Sequence, residues 1–199
     1  MATNTERSAS TRNKLIEQAR ALFAQHGYAG TGTELILQQA GVKRGAMYHH
    51  FADKLALFEA VCLQICEEAA LAINAVLPDA KGLSPRQQLV DGSLAWLQFM
   101  LRPDIRQIML IDAPTALGWV RWQTLEQNWG TRSLQQGIEA AMASGELPAR
   151  CSADLLTTLM NGALNALALR AGAPDAPLTA AQCEQAVYAL WDGQFRQKI

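Results

Sequence analysis

Residues 33–51, TELILQQAGVKRGAMYHHF, constrain the fold more than any other stretch, because they predict two short helices joined by a tight corner. In the first helix Ile36 and Ala40 lie four residues apart, so both can face one core. Gly41 in the corner tolerates the positive φ that a sharp helix end usually requires. The pattern is typical of a helix-turn-helix, and the second helix has a length that suits a DNA major groove.

The second helix is predicted to turn Met47 and Phe51 inward. Its outward face is then rich in cations, aromatic donors and small residues, namely Lys43, Arg44, Gly45, Ala46, Tyr48, His49 and His50. Lys43 and Arg44 lie at the positive end of the helix dipole, where cations are unfavourable unless something negative lies opposite. DNA phosphates would supply that charge. The alternative, two solvated cations at a junction between loop and helix, stays open at this point.

A longer set of residues resembles the N-terminal domain of the tetracycline-repressor (TetR) family. The set is Thr11, Arg12, Ala21, Leu22, Phe23, Gly27, Tyr28, Thr31, Ile36, Ala40, Gly41, Val42, Gly45, Tyr48, Phe51 and Lys54. Two positions depart from the family: Lys43 stands where a serine usually caps the recognition helix, and Leu37 where alanine is frequent. The resemblance implies a helix-turn-helix domain over residues 1–53 and a larger effector-binding and dimerisation domain over residues 54–199.

We predict DNA contacts by eight residues: Thr33, Lys43, Arg44, Gly45, Ala46, Tyr48, His49 and Lys54. Arg44 can present a bidentate fork to guanine, and Ala46 can meet a thymine methyl group. The polar and charged members of the set are expected to position the helix on phosphates. The net charge is only −1, yet residues 1–55 carry seven basic against four acidic side chains. This distribution favours a DNA-reading head on a body with another task.

Apolar residues at helical spacing run through the whole chain and predict an all-α protein of about nine helices, with no strand. Residues 1–8 are polar and are expected to be disordered. A sixth helix is predicted over residues 103–112 and a seventh over residues 119–144. The predicted helix caps are Thr33, Asp53, Ser84, Ser152 and Thr179.

The centre of the chain is rich in tryptophan and methionine and carries a few polar residues that could converge on a ligand. The resemblance implies an effector pocket enclosed by the helices between residues 54 and 171. We predict that a small hydrophobic effector contacts Trp96, Met100, Asn161 and Asn165. Such stripes are more often simple packing, so the sequence does not separate a pocket from a core.

The last two helices carry more apolar surface than one core contact needs. Small residues that would let a partner helix approach closely are Gly162, Ala163, Ala166, Ala186 and Ala189. Two such helices from each of two chains would form a two-fold four-helix interface, as the resemblance also implies. The predicted homodimer would read a palindromic double-stranded operator, with recognition helices about 34 to 36 Å apart. The alternative is that both helices serve only the core of one chain.

Four cysteines, Cys62, Cys66, Cys151 and Cys183, lack the spacing of a zinc finger or a CxxC motif. Cys62 and Cys66 share a helix face; they are either small buried residues or a thiol sensor. We predict no metal and no cofactor. His49 and His50 are adjacent and point about 100° apart on a helix, which suits joint metal binding poorly.

The catalytic motifs GxSxG, HExxH and GxxxxGK[ST] are absent from the sequence, so an enzyme is not expected. The polar start and the lack of a long apolar run predict a cytoplasmic protein that does not engage a membrane. Taken together, we predict a sequence-specific transcriptional regulator, most simply a repressor released by an effector. The alternatives are an activator, a thiol-sensing regulator and a helical interaction protein without ligand control.

Overall fold

The computed structural model describes residues 3–77, 82–129, 131–175 and 177–195, and every regular element in these ranges is a helix. The elements are α1 (Asn4–Gly30), α2 (Thr33–Ala40), α3 (Arg44–His50), α4 (Lys54–Val76), α5 (Pro85–Met100), α6 (Pro103–Arg106), a π-helix (Gln107–Asp112), α7 (Ala113–Leu117), α8 (Trp119–Trp129), α9 (Thr131–Ala143), α10 (Ala153–Ala171) and α11 (Ala180–Asp192). The predicted all-α fold is confirmed.

Most of the predicted helix ends are confirmed because they depend on local hydrogen bonds. The side chain of Asp53 accepts from the backbone N–H of Ala56 at 2.7 Å, and Ser84 and Ser152 accept from the N–H three residues further on. Thr179 forms a reciprocal capping box with Gln182. These side chains satisfy backbone donors that the first turn of a helix leaves free.

Two predictions near helix starts are wrong. Thr33 does not cap α2, because Gly32 occupies the N-cap position and makes no side-chain hydrogen bond. The expected disorder of residues 1–8 is also wrong for the residues that the structure describes. Thr3 and Glu6 form a capping box that starts α1 at Asn4, so this polar segment satisfies its first-turn donors with its own side chains.

The predicted helix over residues 103–112 is divided, and the one over residues 119–144 matches two described helices. The first becomes α6 followed by the π-helix, in which Gln107 donates from Nε2 to Oδ1 of Asp112 at 3.2 Å. The second corresponds to α8, as far as Trp129, and α9, from Thr131, with residue 130 outside the described residues.

The chain forms two compact units. Unit 1 comprises residues 1–65 and 103–122, and unit 2 comprises residues 66–102 and 123–199. The functional division at residue 53 predicted from the sequence stays a prediction. In unit 1, Phe23 and Phe58 meet edge to face at 5.1 Å between ring centroids, and Tyr28 lies 4.7 Å from Phe58. This aromatic cluster joins α1 to α4 and gives the helix-turn-helix a firm base.

Unit 2 contains α5, α9, α10 and α11 together with the second half of α4 and residues 123–129 of α8. Its largest fully buried side chain is Trp191, whose indole N–H donates to Oγ of Ser93 at 3.0 Å. Ser93 in turn donates to the carbonyl oxygen of Leu89 at 2.6 Å. The buried polar atoms between α5 and α11 are thus paired, as a packed interior requires. None of the helices in the described ranges has both the length and the apolarity needed to cross a bilayer.

Candidate nucleic-acid interface and ligand cavity

The corner between α2 and α3 has the geometry that its glycine allows. Gly41 lies in the left-handed region with φ 60° and ψ 36°, and its N–H donates to the carbonyl oxygen of Gln38. Ile36, Ala40 and Met47 are fully buried. These contacts fix the direction of α3 and determine which of its side chains reach the surface.

The outward face of α3 is open and cationic. Lys43 and Arg44 are exposed, and 44% of the surface of Tyr48 is accessible. The guanidinium carbon of Arg44 lies 5.7 Å from the centroid of the Tyr48 ring, and Nη1 of Arg44 is 3.3 Å from Oε1 of Glu34. Both members of this ion pair are exposed, so water screens it and a phosphate can replace Glu34.

The start of α3 lacks the cap that the resembled family usually has. Lys43 is the N-cap residue and makes no side-chain cap hydrogen bond. Next to it, Gly45 is exposed, and a Cβ atom there would meet nothing within 4 Å. Ala46 is half-buried and His49 is exposed, so both can contribute to a contact surface. The predicted DNA-contacting residues at the start of α3 and along it are therefore all at least partly accessible.

Two predicted contact residues lie outside α3. Thr33 is half-buried at the first position of α2. Lys54 begins α4 and donates from Nζ to the carbonyl oxygens of Tyr28 at 3.0 Å and Thr31 at 3.1 Å, and it lies 4.2 Å from the Tyr28 ring centroid. Since an ammonium group has three N–H donors, one remains for a phosphate. Lys54 therefore holds the base of the helix-turn-helix together whatever its contact with DNA.

The two adjacent histidines of α3 differ in their surroundings. His49 is exposed, whereas burial lowers the pKa of His50, with further lowering by His49 and Arg12. Their ring centroids are 5.2 Å apart at an interplanar angle of 70°. Within the described ranges no three His, Cys, Asp or Glu residues cluster as metal ligands would.

The end of α1 is fixed by a residue from the π-helix. Gly27 has φ 71° and ψ 166°, a conformation that favours glycine, and kinks the helix there. The backbone N–H of Tyr28 donates to Oδ2 of Asp112 at 2.8 Å. Asp112 thus satisfies a donor that the kink releases from the helix. Sequence reasoning did not link these residues, which are 84 positions apart.

Unit 2 contains a cavity of about 300 Å³, within the lower range of small-molecule sites. Residues of α4, α5, α9 and α10 line it. Its apolar wall includes Ile73, Leu89, Trp96, Leu134 and Leu164. Two of the four predicted effector-contacting residues, Trp96 and Asn161, lie in this wall, whereas Met100 and Asn165 are buried and do not line the cavity.

A buried carboxylate that the sequence reasoning missed lies behind this wall. Glu126 of α8 is 9% exposed, and burial raises its pKa to about 7 even though hydrogen bonds from Asn161 and Asn165 lower it. The bond from Nδ2 of Asn161 to Oε2 of Glu126 is 3.0 Å. A signal was available, because Glu126 follows Trp122 and Leu125 in the apolar stripe of its helix.

The pair of cysteines considered as a thiol sensor is unsuited to that role. Cys62 and Cys66 are both buried and neither forms a disulfide. Burial, together with the charges of Glu126 and Glu67, raises the pKa of the Cys66 thiol to about 12. Reactive cysteines are accessible and have lowered pKa values, because the thiolate is the reactive species.

Family models match both parts of the chain. Residues 15–61 match the model described as "Bacterial regulatory proteins, tetR family", and residues 86–194 match the one described as "Tetracyclin repressor-like, C-terminal domain". The second match covers the region beyond the helix-turn-helix, where the sequence alone suggested only a shared helical plan.

Similar proteins include named transcriptional repressors. The HTH-type transcriptional repressor AcnR of Corynebacterium glutamicum is 24% identical over 165 residues, which span 82% of this chain and 85% of that protein. The probable acrEF/envCD operon repressor of Escherichia coli K12 is 29% identical over 177 residues, which span 84% and 79% respectively. A solved TetR-family transcriptional regulator from Pectobacterium atrosepticum is 28% identical, covers 100% of both chains and superimposes with a TM-score of 0.76.

Proposed function

The chain belongs to the tetracycline-repressor family of DNA-binding transcriptional regulators, and from that premise we propose that it represses transcription until a small, largely apolar effector fills the cavity of unit 2. Regulators of this family bind DNA operators and act as dimers. A dimer bound at a promoter blocks polymerase by occupancy alone, which makes repression the simplest mode of action. We place this action in the cytoplasm, where the DNA of a bacterial cell lies.

The assignment of DNA binding to particular residues rests on one observation. Helix α3 buries Met47 and leaves Lys43, Arg44 and Tyr48 together on its exposed face. Arg44 would read a guanine edge, and Ala46 would meet a thymine methyl group. Thr33, Lys43, Tyr48, His49 and Lys54 would contact phosphates, and Gly45 would let the backbone approach the groove closely. The face combines charge with small side chains, which is what a groove-reading helix needs.

The proposed dimer interface is formed by α10 and α11. Along α10, Leu155, Leu159 and Leu169 are 50%, 59% and 41% exposed, and the exposed small residues Gly162 and Ala166 lie between them. Their positions alternate between spacings of four and three residues, so they form one stripe on the helix. A stripe of leucines and small residues suits close packing against a second copy.

The dimer assignment is tested with Leu159→Lys, and Leu71→Lys serves as the matched control because Leu71 is an exposed leucine of α4 outside the stripe. Sedimentation equilibrium should give a monomer for the first variant and a dimer for the second. If Leu159→Lys sediments as the wild-type dimer does, the interface lies elsewhere.

Effector control requires that the effector bind the free and the DNA-bound forms differently. A ligand shifts an equilibrium only by its difference in affinity for the two states. The linkage is reciprocal, so DNA should weaken effector binding by the same factor by which the effector weakens DNA binding. This reciprocity provides a check that needs no structure of either complex.

The function is tested by selection from a randomised double-stranded DNA library with the wild-type protein. We expect a palindrome to be enriched, because a two-fold dimer reads two equal half-sites. The affinity for the enriched duplex, measured by fluorescence anisotropy, should fall steeply between 50 and 200 mM salt, which is roughly the range in which phosphate contacts weaken most visibly. Failure to enrich any sequence would contradict the proposal.

A further inference from the structure

Glu126 has an unusual set of partners for a buried carboxylate. Its oxygens accept from Nδ2 of Asn161 at 3.0 Å and from Nδ2 of Asn165 at 3.4 Å. Among the described residues, no lysine, arginine or histidine forms an ion pair with it. Buried carboxylates are normally paired with a cation or surrounded by several strong donors. The two neutral amides donate hydrogen bonds to the Glu126 carboxylate but supply no positive charge to balance it.

Asn165 is itself incompletely bonded. It is 8% exposed, and its Oδ1 is the buried side-chain oxygen or nitrogen atom that lacks a hydrogen-bond partner in the described part of the chain. Its amide donors face Glu126, so the acceptor is left over. An unpaired buried acceptor in a native protein calls for a missing partner, and that partner must be a donor.

Asn161 connects this cluster to the cavity. Its side chain lies in the cavity wall, and its Nδ2 is held by Glu126. The remaining polar atom of the Asn161 amide is Oδ1, which, like Oδ1 of Asn165, is an acceptor. The acceptor cluster of Glu126, Asn161 and Asn165 thus adjoins a cavity whose wall is otherwise largely apolar, with Trp96 and Leu164 among its lining residues.

We infer that the cavity binds an organic cation, an apolar body ending in a protonated amine, and that the ammonium group meets the acceptor cluster at Asn161, with Glu126 behind it. This inference rests on the proposed function, since it names the chemical class of the effector. An ammonium in the cavity can donate to Oδ1 of Asn161 in the wall, and its positive charge balances the Glu126 carboxylate that holds Nδ2 of the same amide. The raised pKa of Glu126, about 7, fits a carboxyl group that is held without a cation and becomes fully charged when one arrives.

The binding test uses three probes of the same shape: 4-phenylbutylamine, 4-phenylbutanol and 4-phenylbutanoate. Isothermal titration calorimetry on the wild-type dimer without DNA should give an affinity for the amine at least roughly tenfold higher than for the alcohol or the acid, as expected for a hydrogen-bonded charge pair. Equal affinities for amine and alcohol, preference for the acid, or no saturable binding of the amine would each overturn the inference.

Three variants identify the residues responsible. Glu126→Gln keeps the size of the side chain and should abolish the preference for the amine over the alcohol, whereas Glu146→Gln, at an exposed position, should keep it. Gly92→Leu places a side chain into the cavity and should weaken binding of the amine and the alcohol alike. Melting curves show that each variant is folded. Persistence of the amine preference in Glu126→Gln would overturn the role of the carboxylate.

The failure of this inference can be distinguished from that of the proposed function. The probe series is measured without DNA, and duplex binding is measured without probes. A wild-type protein that binds the enriched duplex but does not prefer the amine contradicts only the effector class. A protein that prefers the amine but enriches no duplex contradicts the proposed function.

Discussion

In unit 1 the ammonium of Lys54 donates to the carbonyl oxygens of Tyr28 and Thr31 and lies over an aromatic ring, whereas in unit 2 the carboxylate of Glu126 has only two side-chain amides as partners. The ammonium of Lys54 is stabilised by two carbonyl oxygens and by the aromatic ring of Tyr28, all within unit 1. The carboxylate of Glu126 leaves an amide oxygen of Asn165 unpaired.

The difference indicates where each unit needs a partner. In the described part of unit 1 the buried side-chain nitrogen and oxygen atoms have hydrogen-bond partners, and the exposed cations Lys43 and Arg44 lie on its surface, where they can meet a large polyanion. In the described part of unit 2 one buried acceptor, Oδ1 of Asn165, is unpaired, and the Glu126 carboxylate behind the cavity wall has no cation, so a partner for this region must be small enough to enter the cavity. Exposed cations on unit 1 would thus bind a macromolecule. Buried acceptors that lack a cation in unit 2 would bind a small molecule.

The largest expected effect concerns the exposed charges. Replacing Lys43 and Arg44 together by alanine should lower affinity for the enriched duplex by roughly two to three orders of magnitude, because each interaction occurs twice in a dimer and a bidentate bond to a base contributes about 1 to 3 kcal/mol. Fluorescence anisotropy measures the change, and the salt dependence should become less steep by roughly 0.9 for each phosphate that is no longer neutralised. Arg132→Ala, which removes one exposed positive charge from unit 2, is the control and should bind normally. Equally weakened binding by both proteins would remove the distinction between the two units.

The next effect concerns the buried carboxylate. The pKa of Glu126 is raised from 4.5 to about 7, so the folded state holds a proton that the unfolded state releases. The free energy of unfolding should therefore fall as pH rises from about 4.5 to 7 and then level off, by about 3 kcal/mol at most. Chemical denaturation of wild type and Glu126→Gln across this range measures the difference. Parallel pH profiles would show that Glu126 is not the deficient group.

A smaller effect is expected for the residue that completes the interior of unit 1. Asp112→Ala removes the acceptor for the Tyr28 N–H and should lower the free energy of unfolding by about 1 to 2 kcal/mol, as the loss of a helix cap does. Asp112→Asn keeps an acceptor oxygen and should cost less. Asp175→Ala, an exposed position, is the control and should leave stability unchanged in urea denaturation. Equal stability of Asp112→Ala and wild type would show that the carboxylate does not hold the kink.

The smallest effect is a gain. Glu34→Gln removes the exposed partner of Arg44 and a negative charge beside the proposed DNA path, so duplex affinity should rise by roughly two- to fivefold, within the range of a surface ion pair. Glu6→Gln would disturb a cap, so Glu17→Gln on α1 is the better control for the change of charge. An unchanged affinity in both variants would place Glu34 away from the DNA.

The parts predicted well from the sequence are those that depend on near neighbours. The corner is determined within a few residues, by Gly41 and the buried Ile36 and Ala40. The side chains of Ser84 and Thr179 accept from the backbone N–H three residues further on. Each signal is local because glycine conformation and capping bonds involve only adjacent turns. Thr33 was wrongly predicted to cap α2, because the helix begins at Thr33 itself and Gly32 is the N-cap residue.

The parts that sequence reasoning missed depend on residues far apart in the chain. Lys54 contacts carbonyl groups 23 and 26 residues earlier, and Glu126 meets an amide 35 residues later. Periodicity identifies the face of a helix but not which neighbour that face meets. Trp96 and Met100 are four residues apart on one face, yet only Trp96 lines the cavity.

The hydrogen bond between Tyr28 and Asp112 has a consequence for how the protein is made and reused. The ribosome completes residue 28 long before it adds residue 112, so the leading segment emerges without an acceptor for one of its own backbone groups. A hybrid regulator that joined residues 1–53 to the ligand-binding domain of another protein would lack Asp112. The backbone N–H of Tyr28 would then have no acceptor from that residue. The transplanted segment would regain this hydrogen bond only where the recipient supplied an acceptor oxygen at the corresponding place.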